Sequence, residues 1–483
     1  MLYLSVLYKL FGTNPLGYHL FNSAVLTTCI ILLYACTREL GQDRVIALSI
    51  TLIYALSPDY STDRFWYIAA PIVLSMTFYF LSLYSDLKAI KSNMGGLLSW
   101  KSISIISIIG STLSYEVALP LFFLNPILVS LNRKEIFARN QNKTNARIKL
   151  AFILGVNLFV LILIIIYKAT TTVRTEFMSI YEQLHWFTSL MMDSVRVNYI
   201  LYGIQLPLVV SKIVRNYFDL TIFFITILIA LLIFFYIFSA SETFTAEPPK
   251  KNYFLRLTFL GILIFLFGYA IFLTNQNAAI ASTGINNRIA IAGAAGVAIS
   301  FVGIIGLVGT FFRSEHGLRV ILSLLVAFIC ASGFLINNTI ASFWSIAYLK
   351  EKGILANIRE TFPTLPKGSI FFLDGVCPYA GPAIVFESHY DLAGALRMIY
   401  KDYSLRADVV KPDLKITDGG LITSMYGFNF KYPYEKMVIY NYESKNIYKL
   451  NNVEDAMSYF QNAVPSNSSS CPLGYEGHGV TIF

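Results

Sequence analysis

Long apolar runs separated by short charged segments dominate the first two thirds of this chain. Ten runs stand out, at 18–38, 44–56, 66–85, 102–114, 117–131, 148–167, 217–238, 254–274, 289–312 and 318–337. A helix crossing a bilayer needs about 20 mostly apolar residues, so the pattern predicts about ten spans. The runs at 44–56, 102–114 and 117–131 are short for that task and need tilt or flanking residues. The pattern then changes. Segments 369–374, 383–386, 436–442 and 446–450 read as strands. Helical spacing recurs at 350–362, at 391–400 with Asp391 near the N-cap, and at 454–460. The predicted fold class is mostly α. A polytopic helical membrane domain covers residues 1–340, and a small α/β domain covers residues 341–483.

Composition agrees with this division. Of 483 residues, 56% are hydrophobic and 13% charged, against roughly 25% charged in soluble domains. Residues 350–483 hold 13 Lys or Arg and 14 Asp or Glu, which is ordinary for a soluble domain. The membrane part therefore carries +10 and the C-terminal part −1 of the net +9. A nucleic-acid footprint needs a basic soluble face. None is visible, so no nucleic-acid partner is expected.

The loop charges predict an orientation. Arg38, Arg44, Lys88, Lys91, Lys101, Arg133, Lys134, Arg139, Lys143, Arg147, Lys149, Lys250, Lys251, Arg256, Arg313 and Arg319 fall on one side. The other side holds half as many: Lys9, Arg64, Lys168, Arg174, Arg196, Lys212, Arg215 and Arg288. The richer side is cytoplasmic by the positive-inside rule, which puts the C-terminal domain outside. The short cytoplasmic loops, and the lack of a cleavable signal before Phe11, point to a bacterial inner membrane. Cys377 and Cys471 lie in the exported part, where thiols oxidise. A disulfide and two free thiols both fit the sequence. Cys29, Cys36 and Cys330 sit in apolar runs as packing residues. Asn337 and Asn467 open glycosylation sequons, relevant only in a eukaryote.

Candidate chemistry sits in the outer loops. Asp59 and Asp63 lie four residues apart beside Arg64 and Trp66, a set able to bind a metal or a phosphate-linked sugar. A solvated loop with an interfacial aromatic would carry the same residues. Glu116 is the lone acid between 102 and 131. Ionisable groups at membrane depth are costly, and are functional or paired. The loop 168–216 holds Arg174, Glu176, Glu182, His185, Asp193 and Arg196. Its apolar positions predict an amphipathic surface helix. Arg288 precedes a run rich in small residues, from Gly293 to Gly309, that suits close helix packing. Its guanidinium can contact a lipid phosphate or anchor the span. In the soluble part His389, Asp391 and Asp374 form a candidate polar cluster, which chance proximity in sequence would also produce. No Cys/His cluster has metal-ligand spacing, so no metal ligand is assigned.

These phrases together resemble the C-type (GT-C) integral-membrane glycosyltransferases. The matching positions are Phe11, Gly12 and Pro15, then Tyr18, His19, Leu20 and Asn22 opening a span. Pro58 follows with its acids and Trp66, then Ser114-Tyr115-Glu116 in place of the family's Ser-Lys-Glu, then Arg288. The resemblance covers roughly residues 8–340. It implies transfer of a sugar from a polyprenyl-phosphate donor to a glycan, lipid or protein acceptor outside the cytoplasm, in cell-envelope glycan biosynthesis. It implies catalytic roles for Asp63 and Glu116, and substrate binding by Asp59, Arg64, Tyr115 and Arg288. It leaves the cofactor unknown and admits a divalent metal. Two departures stand out. The family's first span and its acid-bearing outer loop would precede Gly12, so the main catalytic acid is expected to be missing. The family's lysine is Tyr115 here. Non-catalytic alternatives are a scaffold or flippase in surface-glycan assembly. A polymer ligase, itself an enzyme, is a separate alternative.

Overall fold

In the computed structural model of the chain, residues 2–131, 143–171, 179–241, 251–274, 278–312, 314–411, 414–425 and 428–462 are described. Arg133, Lys134, Arg139, Arg174, Glu176, Lys250, Arg313, Asn467 and Cys471 lie outside them. Two compact units emerge, one of residues 1–282 with 286–338, the other mainly of residues 339–482.

The first unit is a multi-pass membrane bundle. Among the described residues, eight helices are long and apolar enough to cross a bilayer: Pro15–Glu39, Tyr67–Lys91, Met94–Ser114, Arg147–Thr171, Leu220–Ala240, Lys251–Thr274, Ile285–Thr310 and Glu315–Thr361. The expectation of about ten spans differs at two runs, which form the short helices Arg44–Leu56 and Leu119–Ser130. Thirteen residues rise about 20 Å, less than a hydrocarbon core of about 30 Å. Met94–Ser114 gains its length from residues that had read as loop.

The first long helix shows how local sequence sets an element. Asn14 is its N-cap, accepting from the Leu16 N–H at 3.1 Å, and Pro15 occupies the first turn. Gly12 supplies the preceding bend at φ +57°, and the Tyr18 hydroxyl donates to its carbonyl at 2.6 Å. Downstream, the helix reaches Glu39, whose carboxylate pairs with Lys88 and, at 3.0 Å, with Lys91. Arg44 donates to Tyr236 at this same end, and Lys149 donates to the Ser92 carbonyl. Basic residues of the larger set thus gather at one end of the bundle. Asp59, Asp63 and Arg288 gather at the other.

Deeper in the bundle Lys101 donates to Asp86 at 2.8 Å and to Asn157. Asn157 in turn donates to the second Asp86 oxygen at 2.6 Å. The triad joins three helices with each charge paired, as burial requires. Lys251–Thr274 and Ile285–Thr310 lie so close that a Cβ at Gly296 would collide with the Phe265 and Gly261 backbone. That contact explains the small-residue run.

Between Arg147–Thr171 and Leu220–Ala240 lies a helix pair, Ile180–Ile204 and Leu206–Asn216, bent by 73°. Lys168 reaches Glu116 where the chain enters this pair, and Tyr236 meets Arg44 at the far end of the helix that follows. The pair therefore starts and finishes at the same end of the bundle and does not cross it. Ser179 and Glu182 close a capping box at its start. Arg196–Ile204 continues as a π-helix. The exposed faces of Ile180, Tyr181, Leu184 and Met192 agree with the predicted amphipathic helix.

The second unit is built on a four-stranded sheet. Its strands are β1 (Ile370–Asp374), β4 (Arg406–Val409), β8 (Met437–Asn441) and β9 (Asn446–Leu450), in the order β4-β1-β8-β9. β1 is parallel to β4 and β8, and β9 closes antiparallel. Alternate residues of β1 enter opposite cores, Phe371 and Leu373 one, Ile370 and Phe372 the other. Helix His389–Tyr400 packs with the first core, and Val453–Asn462 with the second. Two strands, β2 (Tyr379–Ala380) and β3 (Ala383–Ile384), form a small hairpin. A meander of β5 (Lys415–Thr417), β6 (Gly420–Met425) and β7 (Phe428–Tyr432), like β4, was not legible in the sequence. Cys377 is disulfide-bonded; Cys29, Cys36 and Cys330 are free and buried. Asn337 is buried and donates to the Leu56 carbonyl at 2.9 Å, so its sequon is not available for modification.

Candidate active site

The segment after Arg44–Leu56 folds into two tight turns, a 3-10 turn Pro58–Tyr60 and a one-turn helix Thr62–Phe65. They turn Asp59 and Asp63 inward, leaving them 2% and 0% exposed. Two asparagines hold the segment in place. Asn287, fully buried, accepts from the Ser61 hydroxyl at 3.2 Å and the Thr62 N–H at 3.1 Å. Its amide donates to the carbonyls of Pro58 at 3.1 Å and Ser282 at 3.0 Å. From the opposite side Asn22 donates to the Asp63 carbonyl at 2.8 Å. The sequence phrase around Asn22 thus has a structural use.

Two arginines complete the group. Arg64 donates to the Ser57 carbonyl at 3.1 Å and lies 4.6 Å over the Tyr60 ring. Arg288 lies 5.6 Å over the Trp66 ring. Among the described residues, neither carboxyl oxygen of Asp63 has a hydrogen-bond partner, nor has Oδ1 of Asp59. A buried carboxyl without partners is costly and takes up its proton more readily. Burial pushes Asp59 up to about 7, against the Ser57 side chain and the Arg64 charge. Burial holds Asp63 well above the ordinary carboxylate range, against the charges of Arg288 and Arg64.

Asp59, Asp63, Arg64 and Arg288 are thus brought together. Glu116 and Tyr115 are not part of that group. The break between Met94–Ser114 and Leu119–Ser130 projects Glu116 outward, half exposed, and it pairs with Lys168. With Thr112, Ser114, Phe272 and Thr274 they line a separate cavity of about 360 Å3. The sequence could not foresee this, because Lys168 is 52 residues away along the chain.

Two protonation-prone carboxyls lie near two guanidinium charges, and no group of three or more His, Cys, Asp or Glu is assembled among the described residues. The same set suits an anion. In the second unit His389, Asp391 and Asp374 have separate uses. His389 stacks on Phe430 with ring centroids 4.0 Å apart. Asp391 accepts three backbone N–H groups at a helix start. Asp374 accepts from Tyr459 and Asn441.

Asn287 was not singled out by itself, although an asparagine leading into an apolar run is the signal that could have found it. Asn198, Tyr199 and Tyr202 were also missed as a group. Against known proteins, no family model, curated protein or solved structure matches the chain.

Proposed function

We propose that this chain is a membrane glycosyltransferase of the C type, moving a sugar from a polyprenyl-phosphate donor to an acceptor outside the cytoplasm. The observation that carries the reading is the buried Asp59–Asp63 pair between Arg64 and Arg288, with carboxyl oxygens left unpartnered. With the two short helices counted as returning passes, the topology is ten passes with this site on the outer side.

The chemistry follows from the charges. Arg288 and Arg64 hold the donor's phosphate. Asp63, which burial biases toward its protonated form, donates a hydrogen bond to a phosphate oxygen. Asp59 titrates near neutral pH, which suits a general base. It takes the proton of the acceptor hydroxyl as that oxygen bonds to the anomeric carbon. The bond from the anomeric carbon to the phosphate oxygen breaks, and its electron pair leaves with the polyprenyl phosphate, neutralised by the guanidinium groups.

Binding and turnover of a polyprenyl-phosphate sugar in lipid nanodiscs test this. Asp59→Asn should keep binding and lower turnover by about 100-fold or more. Arg288→Ala should weaken binding. Wild-type protein that binds no such donor would overturn the proposal. Binding without turnover would make the chain a scaffold on the same site.

A further inference from the structure

The π-helix Arg196–Ile204 packs directly on the 3-10 turn that carries Asp59. Long π runs are rare and tend to mark functional sites. This one turns Asn198 and Tyr202 into the protein, where Asn198 is fully buried. The Asn198 amide donates to the Ser194 carbonyl at 2.7 Å and to the Tyr269 hydroxyl at 3.3 Å. Its own carbonyl oxygen has no partner among the described residues. Tyr199 meets the Ser300 hydroxyl at 2.9 Å, and Tyr202 donates to the Ser282 carbonyl at 2.5 Å.

Two unpartnered acceptors, Asn198 Oδ1 and Asp59 Oδ1, are thus both buried on elements that pack against each other. Each forgoes a hydrogen bond that burial makes expensive. What would satisfy them is a ligand rich in donors with apolar C–H faces. A polyhydroxylated ring has both, since hydroxyls donate to amide and carboxyl oxygens while the ring face covers an aromatic.

We infer that Asn198, with Tyr199, Tyr202 and Tyr269, forms a subsite that reads the hydroxyls of the transferred sugar. The inference rests on the transferase reading above. It assigns the sugar end of the donor to the π-helix and the phosphate end to the arginines. The subsite is closed in this structure, and the bent pair Ile180–Ile204 and Leu206–Asn216 is the wall that must open to admit a ring.

The test compares two ligands on the full chain in nanodiscs: polyprenyl phosphate alone, and polyprenyl phosphate carrying a hexose. Asn198→Ala should weaken the sugar-bearing lipid about tenfold, the effect of one lost buried hydrogen bond, and leave the sugarless lipid unchanged. Equal weakening of both, or of neither, overturns the subsite. Because Asn198→Ala also removes two amide hydrogen bonds, wild-type protein is titrated with a series of deoxyhexose donors as well. At least one deoxy position should lose about tenfold, and equal affinity across the series overturns the subsite. Failure of the wild type to bind even the sugarless lipid would instead sink the transferase reading.

Discussion

Asp59 is one of the buried carboxyls that shape how this protein responds to pH. Asp59 carries an unfolded value near 4 and a folded value of about 7. The folded state therefore binds more protons between those values. The stability Asp59 contributes is complete below about pH 4 and is lost as pH rises through about 7. Thermal unfolding of the nanodisc-held protein should move to lower temperature across that window. Asp59→Asn should flatten the slope, and an unchanged slope would rule out Asp59 as its source. Asp63 acts in the same direction. Activity should rise over the same window, because the base must be ionised to accept a proton. Glu116 is a contrast at this scale. It is the lone acid of its stretch, yet it is half exposed and ion-paired with Lys168.

Among the elements, close packing of Lys251–Thr274 on Ile285–Thr310 is the most sensitive contact. Gly296 faces backbone on the neighbouring helix, with no flexible side chain to yield. Gly296→Val should force the helices apart and lower the unfolding temperature strongly. Gly95→Ala, where an added Cβ meets nothing within 4 Å, should leave it nearly unchanged. Equal effects of the two substitutions would remove the packing argument. Separating these helices would also move Asn287, which stands at the start of the second one and clamps the acid-bearing turns. Loss of donor binding should therefore accompany loss of stability in Gly296→Val. The Asp86–Lys101–Asn157 triad is a second pin, among three other helices.

At the scale of the molecule the untested quantity is orientation. Basic residues collect at one end of the bundle and the buried acids at the other. Under the proposed topology, the positive-inside rule would put the first end in the cytoplasm. A membrane-impermeant thiol reagent applied to intact spheroplasts should label Tyr403→Cys, an 87% exposed position in the second unit. Gly95→Cys should react only after permeabilisation. The reverse pattern would invert the topology and place the proposed chemistry on the wrong side for a polyprenyl-phosphate donor.

Apolar run length and period were enough to mark the membrane bundle, the onset of the C-terminal unit and several of its elements, because they are local consequences of desolvating a backbone. The strand 370–374, buried throughout, was legible for that reason. The β5–β7 meander was not, since its strands are mostly half exposed and lack a clean alternation. The sequence also nominated Asp59, Asp63, Arg64 and Arg288, from their order along the chain. Only the tertiary structure joined them, through Asn287, and moved Glu116 to Lys168. It alone brought the π-helix to Asp59. Burial and hydrogen-bond satisfaction depend on neighbours tens to hundreds of residues away, and no local pattern records which neighbour will arrive.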